Sequence, residues 1–88
     1  MPYIEPESRA KFSYALDLIA DQHDPLSAGE LNYVVSMIVN NWVDSHETVN
    51  YGVLNEAHGT LYSSAAEFYR RRVSIYENEA IAKNGDIY

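Results

Sequence analysis

Cysteine is absent from the 88-residue chain, so disulfides and thiolate zinc sites are excluded together. Three histidines, His23, His46 and His58, do not replace them. Each has an acidic residue one or two positions away, but none forms the i, i+4 pair of a helical metal site. No metal centre and no cofactor are expected. Long apolar runs are missing too: nothing approaches the roughly 20 residues that span a bilayer, and no charged-then-apolar leader opens the chain. A cytoplasmic protein without a membrane partner is expected, the host cytoplasm if the gene is carried by a phage. Basic residues are scarce, six against thirteen acids, for a net charge of −7. Six acids and two bases fall in residues 1–30, three acids and no base in 31–60, and four of each in 61–88. Such a surface repels phosphate and anionic lipid, which disfavours nucleic acid as a partner. Neither a G-x-S-x-G nucleophile nor a convergent carboxylate pair is present, and Gly29, Gly52 and Gly59 are too scattered to cradle a phosphate. No enzyme is expected, and no residue is assigned a catalytic role.

What the chain does contain is tyrosine: eight, against two phenylalanines and one tryptophan. Tyrosine suits surfaces buried at one end and wet at the other, as at protein interfaces, although half-buried core positions use it equally well. Length bears on the choice. Residues 1–88 have room for one domain, and a chain of this size buries only about 60–65% of its unfolded surface when it folds alone. Small chains gain stability from disulfides, metals or oligomerisation, and here only the last remains.

Local signals divide the chain into three helices. Pro2 and Pro6 keep residues 1–5 extended, and Pro6 suits a first helical position. A helix is predicted over about 6–21, with Phe12, Ala15, Leu16, Ile19 and Ala20 on one face and Pro25 beyond its end. Ser27-Ala28-Gly29-Glu30 is a capping box that opens a second helix over 28–44, with Leu31, Val34, Val35, Ile38, Val39, Trp42 and Val43 turned inward. Asn50 or Thr48 caps a third helix over 50–84, closed by Asn84-Gly85 with a left-handed cap, and residues 85–88 are extended. At 1.5 Å per residue the third helix is about 50 Å long, more than a small domain requires. A bend at Gly59 or at Glu77-Asn78 would shorten it. The predicted fold is all-α: two shorter helices packed as a three-helix hairpin or bundle on a long C-terminal helix that also mediates oligomerisation.

Two stripes recur every seven residues along that helix. Leu54, Leu61, Phe68 and Ile75 form one, with His58, Ala65 and Arg72 between them, and it is assigned to the chain's own core. On this face His58 reads as a core histidine. Tyr62, Tyr69 and Tyr76 form the other, with Ala66, Val73 and Ala80 in the 4-3 spacing of a coiled-coil seam. That second stripe, Tyr62, Ala66, Tyr69, Val73, Tyr76 and Ala80, is assigned to a second copy of the chain. Beside it lies the only basic cluster, Arg70-Arg71-Arg72. Arginines beside tyrosines can clamp a phosphate and stack a base. The competing reading is salt bridging, because Glu67 precedes Arg71 by four residues and Glu77 and Glu79 are near. A ligand site, if one exists, is expected at the subunit contact, lined by Tyr62, Tyr69, Arg70, Arg71, Arg72 and Tyr76.

Met1-Pro2-Tyr3-Ile4, Ala28-Gly29-Glu30-Leu31-Asn32-Tyr33, Tyr69-Arg70-Arg71-Arg72 with Tyr76-Glu77, and Asn84-Gly85-Asp86-Ile87-Tyr88 together resemble a family of small uncharacterised proteins of tailed bacteriophages and prophages. Its members often carry proline just before the Tyr-Glu pair, where this chain has Ile75, which implies a bend or restart of the third helix near residue 75. The family brings a phage setting and no assigned activity. In that setting the expected function is a non-enzymatic oligomeric binding protein, partnered with itself, that antagonises host defence. It would sequester a small anionic nucleotide-like signal or block a host defence protein. The alternative is a small structural, assembly or adaptor protein acting only through protein contacts.

Overall fold

The computed structural model describes residues 4–21 and 24–88. The Met1-Pro2-Tyr3 opening and the Gln22-His23 end of the first helix lie outside the described residues. Every regular element among the described residues is helical. Glu5 is extended (φ −70°, ψ 153°) and Pro6 starts α1 (Pro6–Arg9), where a missing N–H costs nothing because the first-turn N–H groups have no helical partner. One tightened 3₁₀ turn, Ala10–Phe12, leads into α2 (Ser13–Ala20). The Asp21 N–H still donates to the Asp17 carbonyl at 2.8 Å.

The second helix, α3 (Ala28–Asp44), begins at the predicted capping box. The Glu30 N–H donates to Ser27 Oγ at 3.1 Å, and the Ser27 N–H donates to Glu30 Oε1 at 2.9 Å. Two free donors of the first turn are thereby satisfied reciprocally. At the other end the Trp42 carbonyl accepts from Ser45 Oγ at 2.6 Å and from His46 Nδ1 at 2.9 Å. A carbonyl can only accept, so Nδ1 carries the proton in this arrangement. The His46 ring also meets the Trp42 indole edge to face, with centroids 4.5 Å apart. His46, just past the end of α3, thus caps its last turn.

Asn50 is the cap of the third helix: its Oδ1 accepts from the Val53 N–H at 3.0 Å. From there α4 (Tyr51–Phe68), a π-helical turn (Tyr69–Val73) and α5 (Ser74–Asn84) follow without a break. Gly85 then takes a positive φ of 88° while its N–H donates to the Ile81 carbonyl at 2.8 Å. A Cβ would strain this backbone, which explains glycine here. The expected bend moves accordingly. Gly59 sits inside regular helix, and residues 75 to 78 are α-helical. The irregularity is the π turn, where the Ser74 N–H reaches five residues back to the Tyr69 carbonyl. Ser74 Oγ donates to the neighbouring Arg70 carbonyl at 2.8 Å, satisfying an acceptor that the wider turn disturbs.

The chain forms two compact units, Met1–Asn41 and Trp42–Tyr88. In the first, Ile19, Leu26, Val34 and Val39 are half-buried, while Phe12, Leu16, Leu31 and Ile38 are exposed. In the second, Val43 and Ala57 are the buried apolar residues, with Val53 half-buried one turn before Ala57. Leu54, Leu61, Phe68 and Ile75 are not core: they are 50%, 40%, 59% and 53% exposed. The buried line Val53–Ala57 lies about 60° around the helix from them. His58, expected on the buried face, is exposed.

Candidate binding face of the long helix

All six residues of the predicted tyrosine seam belong to the second unit, but the π turn redistributes them. Up to Tyr69 the backbone is α-helical, so Tyr62, Ala66 and Tyr69 share one face, and all three are exposed. A π turn takes in about one extra residue, so a face that repeats after seven positions in an α-helix repeats after eight across the turn. The Tyr69 hydroxyl shows this directly, donating to Glu77 Oε1 at 2.8 Å. That bond and the Glu77 charge raise the Tyr69 phenol above its usual pKa of 10.0. Glu77, not Tyr76, therefore continues the Tyr62–Tyr69 face. Tyr76 is displaced around the axis and 73% exposed. Val73 and Ala80 are half-buried.

Glu67 decides the chemistry of the arginine triplet. Its carboxylate accepts from Arg70 Nη2, 3.0 Å from each oxygen, and from Arg71 Nε at 2.7 Å. Both guanidiniums are more than half exposed, and Glu67 is the more covered partner. One carboxylate thus holds two cations at i+3 and i+4, the helical spacing at which side chains meet. Arg72 has no ion pair among the described residues. An incoming phosphate would meet one uncommitted guanidinium and two that Glu67 already occupies. Among the described residues the predicted set Tyr62, Tyr69, Arg70, Arg71, Arg72 and Tyr76 does not converge: Glu67 holds two of its arginines, and the π turn carries Tyr76 off the Tyr62–Tyr69 face.

Sequence reasoning missed one feature of this region, the π turn. It had one visible signal, a serine four residues after Arg70 that can bond back to its carbonyl. Gly59, which either a close neighbouring helix or simple tolerance would explain, has open space beside it: a Cβ built there would meet nothing within 4 Å. Elsewhere in the unit, a hollow of 320 Å³ lies between the end of α5 and the C-terminal segment, lined in part by Glu77, Ile81, Asp86 and Tyr88. Its two acids suit it poorly to an anion. Among the described residues no group of His, Asp and Glu side chains could hold a metal ion. No helix among them is long and apolar enough to cross a membrane.

The structure defines a small helical protein with exposed tyrosines along a long, π-interrupted helix. The chain belongs to a family defined as a domain of unknown function, DUF6899, whose model matches residues 1–87. No curated protein and no solved structure matched it.

Proposed function

We propose that this chain is a non-enzymatic homo-oligomeric binding protein that works by protein contact, and that in a phage setting its target is a component of host defence. The observation that carries this reading is the exposure of Tyr62, Tyr69 and Tyr76 together with Leu54, Leu61 and Phe68 along one helix. Tyrosines supply a large share of the binding energy at protein interfaces when they become covered, and the apolar side chains beside them add buried area. Association through the seam belongs to the same reading and would cover surface that the chain leaves open. Phage origin rests on the resemblance of the terminal and arginine motifs.

A second reading, sequestration of a small anionic nucleotide-like signal, is favoured by Arg72, which has no ion pair among the described residues beside the aromatic face. Calorimetry separates the two. Wild-type protein titrated with cyclic dinucleotides and ADP-ribose is expected to give no heat, and Glu67→Ala to bind these anions weakly once Arg70 and Arg71 are released. Micromolar binding by the wild type would overturn the protein-contact reading in favour of sequestration. A purely structural or assembly role would show itself as recovery of virion proteins alone from infected cells.

A further inference from the structure

We infer that the face Gly59–Tyr62–Ala66–Tyr69 docks antiparallel against the same face of a second copy of this chain. The inference rests on the oligomeric reading above and specifies its orientation and register. Three observations carry it.

The first is position on the helix. Val53 and Ala57 mark the side that the chain uses for its own packing. Gly59, Tyr62, Ala66 and Tyr69, spaced three, four and three residues apart, lie about 180° away from them. The chain's own core leaves this face open: Tyr62 is 72% exposed, and a Cβ added to Gly59 meets nothing.

The second is area. Tyr62 and Tyr69 are 72% and 51% exposed, and Ala66 between them is exposed too, so this face leaves two aromatic rings largely in water. Covering these rings in a pair of chains removes aromatic surface from water on both copies and leaves the Val53–Ala57 side undisturbed.

The third is self-complementarity. Along the face, small and large residues alternate as Gly, Tyr, Ala, Tyr. A parallel copy in register would set glycine on glycine and tyrosine on tyrosine, giving one empty layer and two crowded ones. An antiparallel copy related by a two-fold axis at the level of Ser64 sets Tyr62 on the partner's Ala66 and Tyr69 on the partner's Gly59. Each tyrosine then fills the space above a small residue, the large-on-small layering that close packing requires. On one flank the same register brings Glu56 near the partner's Arg70, and Arg70 near the partner's Glu56, although each Arg70 is already held by Glu67 of its own chain. These charges are opposite. All four layers lie at or before Tyr69, so the π turn does not disturb them.

Single cysteines test the register cleanly, because the chain has none of its own. Ser63 faces the partner's Ser63 near the axis, so Ser63→Cys is expected to form a disulfide dimer on mild oxidation. Gly59→Cys alone is not, since the two copies of residue 59 stand ten residues apart along the pair, about 15 Å, well beyond disulfide reach. Light scattering of the reduced proteins is read alongside. A multimeric mass with cross-linking at Ser63→Cys and none at Gly59→Cys supports the antiparallel seam. Cross-linking at Gly59→Cys and none at Ser63→Cys, with the mass still multimeric, overturns this orientation and leaves oligomerisation standing. A multimer that cross-links at neither position overturns the seam itself. A monomeric mass overturns both this inference and the reading on which it rests.

Discussion

Replacing Tyr69 with glutamate is expected to dissociate the oligomer and leave the helical protein intact. In the single chain Tyr69 is 51% exposed, so the carboxylate meets water and the fold bears little cost. In the seam the same carboxylate would be buried without a cation and would stand near Glu77, which already accepts from the Tyr69 hydroxyl. Burying an unpaired charge costs about 3 kcal/mol or more, roughly a hundredfold in the association constant. Light scattering should therefore report single chains for Tyr69→Glu at concentrations where the wild type is multimeric, with an unchanged helical circular dichroism spectrum. Tyr69→Phe is the control. It removes the bond to Glu77 but keeps the ring, and the oligomer should persist. A Tyr69→Glu protein of wild-type mass would place the contact elsewhere.

Gly59→Leu is expected to move two measurements in opposite directions. In an exposed helix interior, leucine is favoured over glycine by about 0.8 kcal/mol, and nothing within 4 Å obstructs a Cβ at this position. The isolated chain should melt at higher temperature. In the antiparallel pair the space beside Gly59 belongs to the partner's Tyr69, and the substitution occurs once on each side of the two-fold axis. Overpacking costs about 1–3 kcal/mol per site, so association should weaken by at least tenfold. Thermal melts at high dilution and sedimentation at micromolar concentration check the two halves separately. A variant more stable than wild type and equally associated would show that no neighbour approaches residue 59.

The parts of the fold legible in the sequence are those decided within a few residues. Ser27 and Glu30 cap α3 as their spacing predicts, Pro6 opens the first helix, Asn50 caps the third and Gly85 closes it. Each depends on one side chain and one turn of backbone, so the residue type carries the answer. The buried face of the long helix was not legible in the same way. Leu54, Leu61 and Phe68 make the stronger hydrophobic repeat, yet the covered line is Val53–Ala57, about 60° away. Which stripe is covered depends on what packs beside the helix, and a small residue can win over a large one where the approach is close.

The π turn failed for a related reason. A seven-residue repeat assumes constant phase, and one widened turn carries Tyr76 off the Tyr69 face and brings Glu77 onto it. At the arginine triplet the sequence predicted the Glu67–Arg71 pair from its i, i+4 spacing. It did not show that the same carboxylate would also hold Arg70. That second contact turned the expected anion clamp into a largely satisfied ion cluster and moved the functional reading toward protein contact.

The central claim is that the exposed tyrosine face of the third helix is covered by another copy of the chain. The mass of the wild-type protein in solution tests it most directly. Light scattering at micromolar concentration should give an integer multiple of 10.0 kDa above one. A single species of 10.0 kDa with a cooperative, fully helical circular dichroism signal would contradict it.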